Sequence, residues 1–204
     1  MSPNELNALP NVYRIENCPV PALQARAFEL THAVYPHDEL YGTYCTLETH
    51  IDSPADMVFD YLANGYNLAE WTYSLREFKP TTVPDQLVAT DMVGNDTFIY
   101  CKTLTNKAAM TVDYHCAWDQ GEDLWMIYLM RIIPAPLVLK KRGCVVIWTN
   151  CRHPYYDANP YPDKAPPSRH TWVGDLWPFF YAGHYLELQN LKHILEARYP
   201  EERL

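Results

Sequence analysis

The sequence predicts an α+β fold, a curved antiparallel sheet wrapped around a long C-terminal helix, with two short helices after the first strand. Three observations carry this reading. A first alternating segment, 44–51, is followed by six strand-like segments near 73–80, 86–93, 96–104, 109–118, 124–133 and 143–152. Short turns such as Gly94-Asn95-Asp96, Thr105-Asn106-Lys107 and Gln120-Gly121-Glu122-Asp123 separate them, so neighbours run antiparallel. The chain then closes on a segment, roughly 178–199, with apolar residues at helical spacing.

The elements follow in order. Residues 1–40 form an extension in which 21–30 reads as a short helix, followed by Pro36. Pro54 opens a helix over 55–62, with Ser53 as the expected N-cap. A second short helix covers 67–71. After the strands, five prolines fall within 154–167, and loops of this composition serve as lids or packing arms. The organisation is an N-terminal extension, 1–40, and one domain, 41–204, with a Pro/Tyr-rich loop at 154–170.

Composition narrows the function. The 204 residues carry a net charge of -9, with 16 Tyr, 6 Trp and only 7 Gly. Acidity argues against non-specific nucleic-acid binding and against docking on anionic lipid, so neither nucleic acid nor a membrane is expected as a partner. No Gly-rich phosphate loop is present in the sequence. Residues 1–20 carry Glu5, Glu16 and three prolines and do not read as a secretory signal. The longest apolar run, 124–139, is broken by Arg131, Pro134 and Pro136 and is too short to span a bilayer. A soluble, cytoplasmic protein is expected. Its six cysteines form no CxxC and read as free thiols packed as small hydrophobes. Cys151-x-His153 is a weak metal pair.

One segment carries more. Ile51-Asp52-Ser53-Pro54-Ala55-Asp56-Met57-Val58-Phe59-Asp60-Tyr61-Leu62, followed by Asn67 and Trp71, resembles the opening of the SRPBCC superfamily of START lipid-transfer and polyketide cyclase-like domains. The shared pattern is a strand, a Pro at a helix start, a Val-Phe pair and a Trp about a dozen residues on. The resemblance implies a helix-grip fold with a deep cavity between sheet and last helix, where hydrophobic, often aromatic or polyketide, molecules are bound or transformed. No catalytic motif of the superfamily matches residue by residue.

Candidate chemistry centres on the last helix. Trp177, Tyr181, His184, Leu188, Leu191 and Leu195 form one stripe, which places His184 among apolar residues with Glu187 one turn on. Such a pair can share a proton or a metal ion. The interior Gly183 costs helix stability and leaves space for a ligand or a close strand. His193 falls on the polar face.

On 109–118, Asp113 and His115 share one face, opposite Val112, Tyr114 and Cys116. Simple amphipathicity leaves them in solvent; if their face lines the cavity, Asp113 orients His115 as a general base. Glu48 and His50 are expected to face out. Tyr100, Tyr128, Tyr181, Trp148 and Trp71 are the expected ligand-binding residues. Arg131, amid apolar neighbours, either pairs with a buried carboxylate or anchors an anionic ligand group. The strands 124–133 and 143–152 are apolar on both faces and need a cover: residues 1–40, the Pro-rich loop, or a second copy of the chain.

The leading expectation is a metal-free acid–base enzyme, of cyclase, dehydratase or lyase type, acting on a small hydrophobic molecule, with His184 as acid/base and Glu187 as its orienter. It needs no cofactor. The resemblance also implies an alternative, a zinc-dependent hydrolase using His184, Glu187 and His115. A third reading is a non-catalytic carrier.

Overall fold

Alternation along the strands decides which residues the sheet turns inward. The computed structural model describes residues 1–32, 44–93, 97–164, 172–173 and 177–199. Seven strands, β1 (Tyr44–Ile51), β2 (Leu75–Pro80), β3 (Gln86–Asp91), β4 (Thr97–Asn106), β5 (Thr111–Trp118), β6 (Met126–Pro134) and β7 (Cys144–Cys151), form one antiparallel sheet. Their order is β1-β7-β6-β5-β4-β3-β2. All neighbours except β1 and β7 are consecutive, as the short turns predict. β5 begins two residues later than its pattern suggests because Met110 takes a left-handed backbone, φ 54°, to finish the turn. β2 also starts late, since Tyr73 leaves the ladder to meet the last helix, its amide donating to Glu187 and its ring packing against Gly183.

The helices are α1 (Pro3–Ala8), α2 (Val20–His32), α3 (Ala55–Ala63), α4 (Leu68–Trp71), α5 (Ala135–Val138) and α6 (Trp177–Arg198). Pro54, not Ser53, caps α3. Ser53 is fully buried and its hydroxyl donates to the carbonyl of Tyr199, tying the end of α6 to the end of β1. One side of α6 buries Leu188, Leu191, Ile194 and Leu195 against the sheet. The other buries Phe179, Ala182 and Leu186 against Leu23 and Ala27 of α2. The amphipathic stripe predicted for α6 is therefore only half of its burial: the extension supplies a second apolar partner, and α6 is sandwiched.

The extension is also pinned to the segment before β2. The Asn190 side chain accepts from the Tyr13 amide (2.8 Å) and donates to the Tyr13 and Trp71 carbonyls (2.6 and 3.2 Å). The Ile15 amide donates to Tyr73 O at 2.8 Å. Arg76, nearly buried, grips Glu16 with two nitrogens and also donates to the carbonyls of Thr72, Tyr73 and Leu75. A bidentate, charge-assisted pair of this kind fixes geometry as well as adding energy.

Outward, the strands divide as expected at one end and not at the other. Glu48 is exposed while Cys45, Leu47 and Ile51 are buried. His50 is half-buried and its Nε2 lies 2.8 Å from the Arg142 carbonyl. The Pro-rich loop, in its described part, covers Trp125: Tyr155 and Tyr156 meet that indole edge-on at 5.5 and 5.1 Å. It acts there as a packing arm. Leu129 of β6 stays exposed on the outer face. No helix among the described residues is long and apolar enough to cross a membrane.

Candidate functional site

The gap between the inner face of the sheet and the first half of α6 is not filled. It leaves a cavity of about 70 Å³, walled by Trp71, Ile99, Tyr114, Tyr128, Trp148 and His184. Leu75 and Asp91, both half-buried, form its rim. The aromatic walls are held by one another. Trp71 meets Trp148 edge-on at 5.6 Å, and Tyr128 meets Trp148 the same way at 6.1 Å. Hydroxyls are tied off behind them: Tyr114 donates to the Leu62 carbonyl at 2.7 Å, and Tyr128 donates to Tyr156.

Sulfur lines the floor. Cys101, Cys116 and Met126 are direct cross-strand partners on β4, β5 and β6, and all three reach the cavity. The Cys116 thiol donates to Cys101, and that bond together with burial pushes its titration upward.

His184 and Glu187 lie side by side on the cavity wall, each 6% exposed. The His184 ring lies on Trp148, with centroids 4.6 Å apart, and stands edge-on to Tyr128 at 5.2 Å. Burial lowers its pKa from 6.5 to about 3, so the imidazole is neutral at ordinary pH. Burial drives the Glu187 carboxyl the other way, well above its ordinary 4.5; Asp91 adds to the rise, while the Tyr73 amide and Arg76 oppose it. The Tyr73 N–H donates to Glu187 Oε1 at 3.2 Å. The partner seen for Glu187 is thus a backbone amide. Burial thus favours the uncharged form of both groups at the cavity wall: a carboxylic acid can donate and a neutral imidazole can accept.

Other expected site residues fall elsewhere. Trp71, Tyr128 and Trp148 line the cavity. Asp113 and His115 lie half-buried on the opposite face of the sheet, because Val112, Tyr114 and Cys116 take the inner one. Tyr100 is also on the outer face, packed under Gly121, where an added Cβ would come within 2.8 Å of its ring. Arg131 is exposed and is neither a buried ion pair nor a cavity anchor. The Tyr181 side chain lies outside the described residues.

The zinc set His184, Glu187 and His115 is not assembled, since His115 is across the sheet, and no group of three His, Cys, Asp or Glu among the described residues could hold a metal ion. Cys151 is exposed at the end of β7, and His153 Nδ1 accepts from the Tyr155 amide.

Gly183 has a definite role: a Cβ there would come within 2.8 Å of the Tyr73 ring. The space it leaves is taken by Tyr73 rather than by a ligand. Tyr73, Ser74 and Asp91 are site residues that strand alternation does not find. Ser74 donates to Asp91 Oδ1 at 2.7 Å, which fixes the rim. The glycine in mid-helix was the one signal pointing to Tyr73.

No family model matches the sequence, and no curated protein matches it significantly. Solved structures do match. XoxI from Bacillus cereus aligns over 76% of this chain and 96% of its own, with 10% identity and a TM-score of 0.52. An uncharacterised protein from Bacillus thuringiensis aligns over 74% and 98%, also with 10% identity and a TM-score of 0.52. The Aha1 dimer from Colwellia psychrerythraea aligns over 76% and 97%, with 13% identity and a TM-score of 0.50. The chain shares with these structures a helix-grip fold, one antiparallel sheet packed against a long C-terminal helix. At these identities the likeness carries the fold alone. The helix-grip frame leaves roughly a quarter of this chain outside the part shared with each of these structures.

Proposed function

We propose that the cavity binds a small, neutral, ring-containing hydrophobic molecule, and that Glu187 and His184 act on it as proton donor and proton acceptor. The chemistry is acid–base, of cyclase, dehydratase or lyase type, with no cofactor. One observation carries the reading: a buried carboxyl and a buried imidazole stand one helical turn apart on an aromatic cavity wall, where burial favours the uncharged form of each. The roles differ from those the sequence suggests. Glu187 is the acid in its own right rather than an orienter of His184. A positioned acid or base of this kind contributes about 10²–10⁴-fold.

Size restricts the ligand. The cavity of about 70 Å³ is roughly half of the ~150 Å³ cavity that takes up benzene in another protein. A single ring enters with modest movement of the rim at Leu75 and Asp91. A folded polyketide chain does not fit without displacing a wall. Trp71 and Trp148 supply flat apolar surface for the ring, and Glu187 supplies the hydrogen bond that orients an oxygen on it.

The carrier reading keeps one specific observation in its favour: an imidazole that titrates near 3 is a weak base in the resting cavity. One experiment separates the two. Protein is purified, denatured and extracted, and bound small molecules are identified by mass spectrometry. Single-ring phenols and aryl ketones related to any extracted compound are then incubated with wild type, Glu187→Gln and His184→Phe. Binding is read by quenching of tryptophan fluorescence, and turnover by chromatography. The expected result is turnover by wild type that falls about 10²-fold or more in each variant while binding changes far less. Wild-type turnover in both variants overturns the assignment. Tight binding with no chemical change in wild type makes the protein a carrier.

A further inference from the structure

Among the described residues, the connection between β6 and β7 is where large aliphatic side chains stand exposed in a row. Pro136, Leu137, Val138, Leu139, Lys140, Lys141 and Arg142 are all exposed in succession. Leu137 is 77% exposed, Val138 55% and Leu139 46%. Three adjacent aliphatic side chains in water, followed at once by three basic ones, form a compact apolar tip with a basic collar.

The tip is held on a firm base. Gly143, at φ 82°, lies so close to Ile51 that a Cβ would come within 2.2 Å of its carbonyl oxygen. The Ala135 amide donates to the Gly143 carbonyl at 2.9 Å, closing the neck of the loop, and the Leu139 amide donates to Ala135 O at 2.8 Å. Arg142 pairs with Asp52 at 2.6 Å. Its carbonyl lies 2.8 Å from His50 Nε2. Lys140 and Lys141 remain as the outward charges of the collar.

We propose that this tip docks the protein on an anionic lipid bilayer, with Leu137, Val138 and Leu139 entering the interface and Lys140 and Lys141 meeting the acidic headgroups. Charge complementarity selects the occupant. The net charge of -9 predicts repulsion from such a surface, but that is an average over the chain. Screening limits each charge to a reach of about 8 Å at physiological salt, so the lysines beside the membrane decide the contact. An apolar tip alone would suit a second copy equally well; a basic collar suits acidic headgroups. The loop lies at the end of the domain where β1 meets the C-terminal part of α6, through the Asp52 amide and Glu196. His184 is near the other end of that helix, so docking leaves the cavity rim uncovered.

Vesicle co-sedimentation of the full chain tests this. The probes are phosphatidylcholine vesicles with and without added phosphatidylserine, at low and high salt. Wild type is expected to sediment with the anionic vesicles at low salt, to leave them at high salt, and to ignore phosphatidylcholine alone. Lys140→Glu/Lys141→Glu and Leu137→Ser/Leu139→Ser are each expected to weaken binding about tenfold or more. All four positions are solvent-exposed, and an unchanged circular dichroism spectrum checks that the fold is kept. No wild-type binding, or binding kept by both variants, overturns the proposal. Loss in the lysine variant alone reduces the contact to charge and overturns insertion. A dimer seen by light scattering, lost in the leucine variant while vesicles bind nothing, assigns the tip to a second copy instead.

Discussion

The two faces of the sheet are built from the same strands and differ in the state of their residues. On the inner face of β4 to β7, Ile99, Cys101, Tyr114, Cys116, Tyr128 and Trp148 meet α6 and the cavity. On the outer face, one residue along from one of these in each case, stand Tyr100, Asp113, His115, Leu129 and Ile147. A carboxylate or imidazole on the outer face keeps water. His184 and Glu187, facing the inner one, are stripped of water, and burial shifts each toward its uncharged form. Residue type alone therefore says little about chemistry here. The face decides it, because a one-residue step along a strand exchanges water for an aromatic wall.

Stability gives the widest contrast between the faces. Trp148 is 3% exposed and supports Trp71, Tyr128 and His184 at once. Trp148→Ala is expected to cost about 3–5 kcal/mol in urea unfolding, through lost burial and the cavity left behind. Leu129→Ala, on the outer face of the neighbouring strand and 47% exposed, is expected to cost no more than about 0.5 kcal/mol. Equal costs would mean that the outer face is covered in solution, as in a dimer through these strands.

That contrast also explains what was legible beforehand. The strands and the long helix could be read because period 2 and period 3.6 persist over eight or more residues in β1, β5 and α6. The inward side of β5 could be read from Val112, Tyr114 and Cys116. His184 could be read because it interrupts an apolar stripe. Tyr73, Ser74 and Asp91 could not, since they lie at strand ends, where alternation lapses and the hydrogen bonds come from distant elements: Glu187 for the Tyr73 amide, Ile15 for its carbonyl. Arg131 misled because apolar neighbours in sequence stand on the other face of a strand. The partnership of α2 with α6 was hidden because nothing in one helix's stripe names the surface that covers its second side.

Titration sharpens the comparison next. His184 is lowered from 6.5 to about 3, so the unfolded chain takes its proton first as pH falls, and stability is lost through that window. At pH 4.5 the loss from this residue is about 3 kcal/mol. Glu187 is raised above 4.5, so the unfolded chain gives up its proton first as pH rises, and stability is lost upward from about pH 4.5. The two slopes oppose each other. In urea titrations from pH 4 to 8, His184→Phe is expected to flatten the acid side and Glu187→Gln the neutral and alkaline side. A His184→Phe variant with the wild-type acid slope would place that imidazole in contact with water.

The smallest expected effect separates the faces by rate rather than energy. Cys151 is exposed, whereas Cys45, Cys101, Cys116 and Cys144 are buried. Burial pushes the Cys45 thiol upward, the hydrogen bond to Cys101 together with burial does the same for Cys116, and it is the thiolate that reacts. A chromogenic disulfide reagent added to the native protein is expected to modify Cys151 at once and the half-buried Cys18 more slowly, leaving the other four for denaturant. Cys101 and Cys116 make the informative exception, because they line the cavity. If mapping by mass spectrometry finds either one modified in the native state, the rim at Leu75 and Asp91 opens wide enough to admit an aromatic reagent. A ring-containing ligand that then blocks the modification occupies the same space, which ties occupancy of the cavity to a readout independent of turnover.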